Sequence, residues 1–477
     1  MRPVIISILM LFACCGAWAQ QHLSFDEAMS LALEHSDVIK GQNRDMATAM
    51  YERQAAKGLY FPKVEITGAY LLTDRDIDIN FNSKKGVVEN SAAALISQGV
   101  TVGLLSPEVA QLLRGAISPL LNLDWRYTIQ KRSFGVIAAK VSMPIYAGGR
   151  IRVANRVASL KLSMEEYRMD TATGELLITL VEQYYGVVLL QYAVDVRRGV
   201  VDAVRAHLED AKAMEEAGEI AHSVVLEVEF KLAEAERDLL SESHKLAMAR
   251  RALKATMNVD FEPIPSDRLF IYKNILSLDY YVDNALNLNS ELRTAELNLD
   301  LAKEGVKAAR ADMLPTVGII GEGSLYRHNL TTLLPRWVIG VEANVLLFNG
   351  FNKMQMLKAA KSRLEGVVAK IEKARSDISL FAEQQYYNVI NSLADIDAAK
   401  SSMALADSYY MSTYESYKAG IATASQLLDA EVARAASVLS YLNVAYNHCL
   451  ALVRLLRASG LSHMFDECRC NGEQLML

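Results

Sequence analysis

Two stretches 202 residues apart constrain this chain more than anything else in it: VIAAKVSMPIYAGGR, beginning at Val136, returns as VIGVEANVLLFNGFN, beginning at Val338. Ile137 matches Ile339, Tyr146 matches Phe348 and Gly148 matches Gly350. In each copy the apolar period changes from two to 3.6 within a few residues, so a strand runs directly into a helix. The chain therefore builds the same strand-to-helix junction twice. After each junction comes a helical pattern of 68 residues, Arg150 to Ala217 and Asn352 to Ala419, with no proline from Ile145 to Glu262 and none after Pro335. At about 1.5 Å per residue each would be about 100 Å long. Each run ends at a glycine, Gly218 or Gly420, suited to a left-handed C-cap, and a return helix follows, His222 to Met257 and Thr423 to Ser459. Ser223 and Ser425, or the residues just before them, are the expected N-caps.

The segments before each junction also repeat. Leu23 to Phe61 is helical, with Ser24 as N-cap, Asp26 and Glu27 in the first turn, and a stop at Pro62. A break near His35-Ser36-Asp37 recurs at Asn289-Ser290-Glu291, and Phe61-Pro62-Lys63-Val64 recurs as Leu314-Pro315-Thr316-Val317. Beyond each proline the period becomes two. Val64, Ile66, Gly68, Tyr70 and Leu72 lie on one face of the first strand, with Lys63, Glu65, Thr67 and Thr73 on the other. Trp337, Ile339, Val341, Ala343, Val345 and Leu347 alternate with Gly340, Glu342 and Asn344 in the fourth strand, and Lys140 and Ser142 hold the matching places in the second. The expected first repeat spans residues 20–275, with strands about 63–82 and 127–146 and helices about 24–61, 150–217 and 222–257. The second spans 276–460, with strands about 316–327 and 336–348 and helices about 279–314, 352–419 and 423–459. Residues 461–477 are expected to be a tail. The first repeat holds 51 more residues between its strands than the second; residues 82–126 read as a helical insertion at the strand ends, serving as a lid, a subunit contact or an ordinary surface loop.

Long strands with one apolar and one polar face suit a half-buried sandwich or a membrane barrel whose polar face lines water. Four strands are too few for a sandwich, and they cannot close a barrel either, because open edges are not tolerated in lipid. A barrel made from such a chain requires oligomerisation. The N-terminus agrees with export: Arg2, an apolar run from Val4 to Ala13, and Ala17-Trp18-Ala19 as a cleavage site give a signal peptide over 1–19. Leu11-Phe12-Ala13-Cys14 resembles a lipobox and leaves lipidation of Cys14 open. In the first long helix, Leu160, Met164, Tyr167, Thr171, Gly174, Ile178, Val181, Tyr185, Val188 and Tyr192 follow the 4,3 spacing of a coiled-coil seam.

Several chemistries find no support. The formal net charge of −6, with basic residues spread among acids, gives no footprint for nucleic acid. Gly148-Gly149 and Gly350 lack a Walker lysine and dinucleotide spacing, so they mark turns rather than a phosphate cradle. Cys449, Cys468 and Cys470 show no zinc spacing, and Cys468-Arg-Cys470 is expected to be incidental to a disordered tail. Gln183-Tyr184-Tyr185 and its repeat Gln385-Tyr386-Tyr387 read as helix packing. No nucleophile, base and orienter form a local signature, so no cofactor, metal or catalytic residue is expected and nothing asks for an enzyme.

The export signal, the duplicated helix-strand-strand-long helix-helix unit, the Pro144-Ile-Tyr-Ala-Gly-Gly turn, and Tyr417-Lys-Ala-Gly420-Ile-Ala-Thr-Ala-Ser-Gln-Leu-Leu-Asp429-Ala together resemble the TolC family of outer-membrane efflux proteins. The likeness covers about Leu23 to Gly460. It implies a mainly α fold with membrane β: a homotrimer with a 12-stranded β-barrel continued by a periplasmic α-helical barrel. It also implies a periplasmic adaptor (membrane fusion protein), an inner-membrane pump of RND or ABC type, and outer-membrane lipid as partners. Position by position, Asp429 matches one gate aspartate of that family, Gln426 stands where a second would be, and Glu227 and Val224 hold those places in the first repeat. Three carboxylates at one level would bind cations less well than six. Gly218 and Gly420 would mark the adaptor-contact turns, and Lys140, Ser142, Glu342 and Asn344 would face the barrel lumen. Asp429 also fits a solvated early-helix acid favoured by the helix dipole. The alternative to an exit duct is a structural periplasmic coiled-coil protein or adhesin tethered to the outer membrane.

Overall fold

The computed structural model describes residues 20–475; the expected signal peptide and Cys14 lie outside them. In chain order the elements are β1 (Gln20–Leu23), α1 (Phe25–His35), α2 (Asp37–Gly58), β2 (Lys63–Leu72), β3 (Ile77–Asn80), α3 (Lys85–Thr101), α4 (Pro107–Asn122), β4 (Arg126–Gln130) and β5 (Ser133–Ala147). They continue with α5 (Arg150–Glu216), α6 (His222–Met257), β6 (Glu262–Pro265), β7 (Phe270–Ile271), α7 (Leu278–Leu288), α8 (Ser290–Ala311), β8 (Thr316–His328) and β9 (Trp337–Asn344). Last come α9 (Asn352–Lys418), α10 (Ala424–Ala458), α11 (Phe465–Asn471) and β10 (Glu473–Gln474). These elements fall into two compact units, one mainly helical and one built on strands from residues 55–155 and 307–357.

The helical unit is organised by local rules. Ser24 and Glu27 form a capping box at α1, and Ser36 and Asn289 interrupt the helices on either side of them. The α5 seam is buried at Leu160, Met164, Val181, Tyr185 and Val188, and the core widens to Leu180, Tyr184 and Val187. A stretch of α5 is the one place among the described residues long and apolar enough to cross a membrane as a helix; half of it is buried within the chain, as a core helix would be. By contrast α9, of equal length, leaves Leu380, Phe381, Tyr387, Leu405 and Tyr409 exposed.

At the centre of this unit Phe25 sits 5.4 Å from Tyr184, 5.8 Å from Tyr185 and 5.4 Å from Phe465, ring centroid to centroid. The Tyr184 hydroxyl donates to the Leu23 carbonyl at 2.6 Å and accepts from the amides of Ser266 and Asp267, both at 3.2 Å. The expectation of a disordered tail is overturned. Leu461, Phe465, Cys468 and Leu475 are buried in the same core, β10 pairs antiparallel with β7, and Arg469 bridges Asp26 and Asp267. Phe465 and Cys468, three residues apart in α11, share one helical face, and Leu461 reaches the same core from the turn before it. β1 also pairs in parallel with β6, a contact no periodicity in either segment signals.

The strand unit holds one four-stranded antiparallel sheet, ordered β2-β5-β8-β9, and a separate two-stranded ribbon, β3-β4. The first expected strand does not run to 82: it ends at Leu72 and resumes as β3, because Asp74-Arg75-Asp76 turns the chain. Its partner is likewise divided between Gln130 and Ser133, and β9 stops at Asn344, where its partner β8 begins at Thr316. The insertion folds as the helical pair α3 and α4 at the tip of the ribbon.

Candidate functional site

The sheet is the feature with most to explain. Residues directly opposite in register share a face. The register pairs Glu65 with Lys140, Lys140 with Glu322, Lys63 with Ser142, Gly318 with Glu342, and Thr316 with Asn344. Alternation from these pairs places all four candidates, Lys140, Ser142, Glu342 and Asn344, on one face, with Lys63, Glu65 and Glu322 among them. The polar groups cluster toward the junction end of the sheet, near Lys63, Ala147 and Thr316. Sequence periodicity missed Glu322, because β8 is rich in glycine and its alternation is weak; the cross-strand register identifies it.

The opposite face carries Val64, Ile66, Tyr70 and Leu72 from β2, Ile137, Val141 and Met143 from β5, Ile319 from β8, and Trp337, Ile339 and Val341 from β9. All are exposed, Ile66 at 70%, Trp337 at 68% and Ile339 at 71%. An exposed apolar area of this kind requires a partner or a lipid environment. The outer edges of β2 and β9 have no strand beside them among the described residues. An open apolar sheet in water is an aggregation hazard, so both face and edges call for completion by something outside the chain.

The junction itself is tightly made. Gly148 has φ +61°, and a Cβ there would lie 2.6 Å from the Ala311 carbonyl oxygen and 3.0 Å from Leu314 Cβ. Only glycine fits both the left-handed backbone and the contact. Arg150 opens α5 in an ion pair with Asp312 at 2.8 Å, and Asn155 Nδ2 donates to the Ala56 carbonyl at 2.8 Å.

The glycine turns of the helical unit are a second candidate. Gly218 donates to the Glu215 carbonyl and Glu219 to that of Met214, both at 2.8 Å; Gly420 and Ile421 repeat the pattern with Tyr417 and Ser416, both at 2.9 Å. These are matching Schellman closures with left-handed glycines, φ +78° and +71°. The N-caps of the return helices are Ala221 and Thr423, each two residues before the expected serines Ser223 and Ser425. Thr423 and Gln426 form a capping box, the Gln426 amide oxygen accepting from Thr423 N–H at 2.9 Å. That hydrogen bond commits the Gln426 side chain to the cap. Asp429 is exposed and lies 3.9 Å from the Lys231 ammonium of α6, while Glu227, one helical turn before Lys231, is exposed and Val224 half-buried. Lys231 is thus the basic neighbour that spacing did not reveal: its ammonium lies 3.6 Å from Glu234 of α6 as well as 3.9 Å from Asp429 of α10. Behind the turns, Val200, Val204 and Leu208 of α5, Val225 and Val228 of α6, and Leu428 and Ala435 of α10 share a small core that fixes their positions.

No group of acidic, histidine or cysteine side chains suited to a metal occurs among the described residues. Residues 281–461 match the family model described as outer membrane efflux protein. The alkaline protease secretion protein AprF of Pseudomonas aeruginosa is 25% identical over 319 residues, covering 65% of this chain and 66% of that protein, so the match spans just under two thirds of the relative's length. Among solved structures, the CmeC outer membrane channel of Campylobacter jejuni superposes with a TM-score of 0.69 at 13% identity, over 92% of this chain and 86% of that one. The outer membrane protein VceC of Vibrio cholerae gives 0.67 at 14%, over 91% and 96%. The open MtrE outer membrane channel of Neisseria gonorrhoeae gives 0.67 at 16%, over 92% and 89%. The fold is therefore the one these solved channels share, residues 281–461 match the outer membrane efflux protein model, and the TolC-family resemblance carried by the sequence motifs holds.

Proposed function

We propose that this chain is one subunit of a homotrimeric outer-membrane exit duct, passively conducting substrates that an inner-membrane pump delivers through a periplasmic adaptor. Three copies would supply twelve strands to one barrel, and their helices would form the periplasmic tunnel. What carries the proposal is the four-stranded sheet: apolar and exposed on one face, charged on the other, open at both edges. Because the strand number per copy is even, β9 of one copy would run antiparallel to β2 of the next, so a closed ring preserves the antiparallel pattern. The apolar face then meets lipid, and the face bearing Lys140, Ser142, Glu342 and Asn344 lines water. A periplasmic coiled-coil protein or adhesin would leave that sheet face in water without a partner.

The name of AprF places secretion of a protease with that relative, and by that likeness a secreted protein is a candidate cargo here, beside small efflux substrates. The first repeat, 20–275, and the second, 276–460, would each supply one wall segment of the duct. Asp429, with Lys231 beside it, and Glu227, Val224 and Gln426 would form the constriction near the turns at Gly218 and Gly420, where the adaptor would dock. Lys231 within reach of Asp429 reduces the pull on cations further than the loss of one acidic ring alone. Asp429→Asn is expected to weaken block by divalent cations, and Lys231→Met to strengthen it.

Single-channel recording in planar bilayers tests the duct. The purified assembly should conduct in discrete steps, with conductance raised by Asp429→Ala combined with changes at the neighbouring turn. An assembly that never conducts, with or without those changes, would overturn the proposal.

A further inference from the structure

The insertion between β3 and β4 is a built element rather than a slack loop. At its base Asn82 Nδ2 donates to Asp124 at 2.6 Å, Trp125 Nε1 donates to the Leu120 carbonyl at 3.0 Å, and the Lys85 ammonium donates to the Leu123 carbonyl. Below it, the buried Gln130 amide holds the β8–β9 loop, donating to the Asn329 carbonyl and accepting from Thr331 N–H, both at 2.8 Å. Ala110 and Ile96 are buried between α4 and α3.

A second apolar face of α4 has no cover. Val109, Leu112, Leu113, Ala116 and Leu120 follow the i, i+3, i+4, i+7, i+11 spacing and form one stripe. All are exposed, Leu112 at 73% and Leu120 at 58%. Its only charged residues are Glu108 and Arg114, and neither has an ion-pair partner among the described residues. In helical projection Glu108 lies just beside the stripe, whereas Arg114 lies on the back of α4, past the face that packs on α3. A helix that lies on a membrane surface carries a basic polar face; this one is neutral. An uncovered apolar stripe with one carboxylate beside it and no basic face instead suits packing on another protein surface. The insertion also projects from the end of the sheet away from the junctions, and the open edges of that sheet already call for further copies around one axis.

We propose that the α4 stripes of neighbouring copies pack on one another and close the outer mouth of the barrel as an apolar lid. The occupant of the stripe is a second copy of this chain, and the inference rests on the trimeric duct. The test uses the full chain in outer-membrane vesicles, in a Cys470→Ser background that removes the exposed thiol. Leu112→Cys and Ser118→Cys place single thiols on the stripe and on the opposite face of α4. A short bismaleimide should link chains at least tenfold more at Leu112→Cys, and Leu112→Asp with Leu120→Asp should raise single-channel conductance while the assembly mass is unchanged. A trimer by native mass that links equally at both positions, or whose Leu112→Cys thiol reacts instead with a lipid-chain probe, would overturn the lid and leave the duct standing. A monomer would overturn both.

Discussion

Lowering the pH should loosen the helical unit through one residue, His448. Its side chain is fully buried, with Nε2 accepting from Tyr272 N–H at 3.1 Å and Nδ1 2.9 Å from the Ser392 hydroxyl oxygen. The Ser392 hydroxyl gives its own proton to the Val389 carbonyl at 2.6 Å, so Nδ1 must carry the ring proton and Nε2 must not. The hydrogen-bond network thus assigns a neutral ring in one tautomer. Protonation would set a new N–H against the Tyr272 N–H in a fully buried site. Burial pushes the pKa down from 6.5 to about 4, and the Tyr272 N–H, which donates to the neutral ring, disfavours the proton as well. The unfolded chain therefore takes up the proton first as pH falls. Stability from this group is fully present above pH 6.5 and is lost between 6.5 and about 4, amounting to about 3 kcal/mol at about 1.4 kcal/mol per unit. Hydrogen exchange of α10 amides around His448, compared at pH 7.5 and 4.5, reads this out. His448→Gln keeps an acceptor for Tyr272 but cannot titrate, so it should remove that part of the acid sensitivity while carboxylates supply the rest. An equal pH slope in both proteins would refute the reasoning.

Two further perturbations probe the same core. Tyr184→Phe leaves the amides of Ser266 and Asp267 and the Leu23 carbonyl without their shared partner, and should cost about 2–3 kcal/mol in thermal or denaturant unfolding. A loss under about 0.5 kcal/mol would mean that other groups satisfy them. Among the described cysteines, Cys470 is exposed, whereas burial pushes the Cys449 thiol up to about 12 and that of Cys468 up to about 11. Iodoacetamide at pH 8 should modify Cys470 at an ordinary thiol rate and the other two only after denaturation. Rapid modification of Cys468 in the folded protein would mean that α11 does not stay docked.

What could be read from the residues alone followed from local rules. The long helices were legible because α5 and α9 contain no proline and are each followed by a glycine, which takes the left-handed C-cap conformation without a Cβ penalty. The sheet faces were legible wherever alternation was strong, as at Val64 to Leu72 and Trp337 to Ala343. Strand ends were not, because Asp74-Arg75-Asp76 and the short β9 depend on pairing rather than composition. Long-range contacts stayed hidden for the same reason. Nothing local announces that Phe465 meets Phe25, that β1 joins β6, or that Arg469 pairs with Asp26 and Asp267. The candidate constriction shows both sides: Asp429 and Gln426 could be placed by motif spacing, but Lys231 beside Asp429 and the capping role of Gln426 required coordinates.

The face of the sheet in the membrane is the point on which the proposed duct stands. A cysteine scan along β9 in the outer membrane, again without Cys470, measures it directly. Gly340→Cys and Glu342→Cys should react with a water-soluble maleimide small enough to enter the barrel, while Ile339→Cys and Val341→Cys should react only with a lipid-soluble one. Equal reaction with the water-soluble reagent at all four positions, or the reverse alternation, would contradict a barrel with this polar face inside.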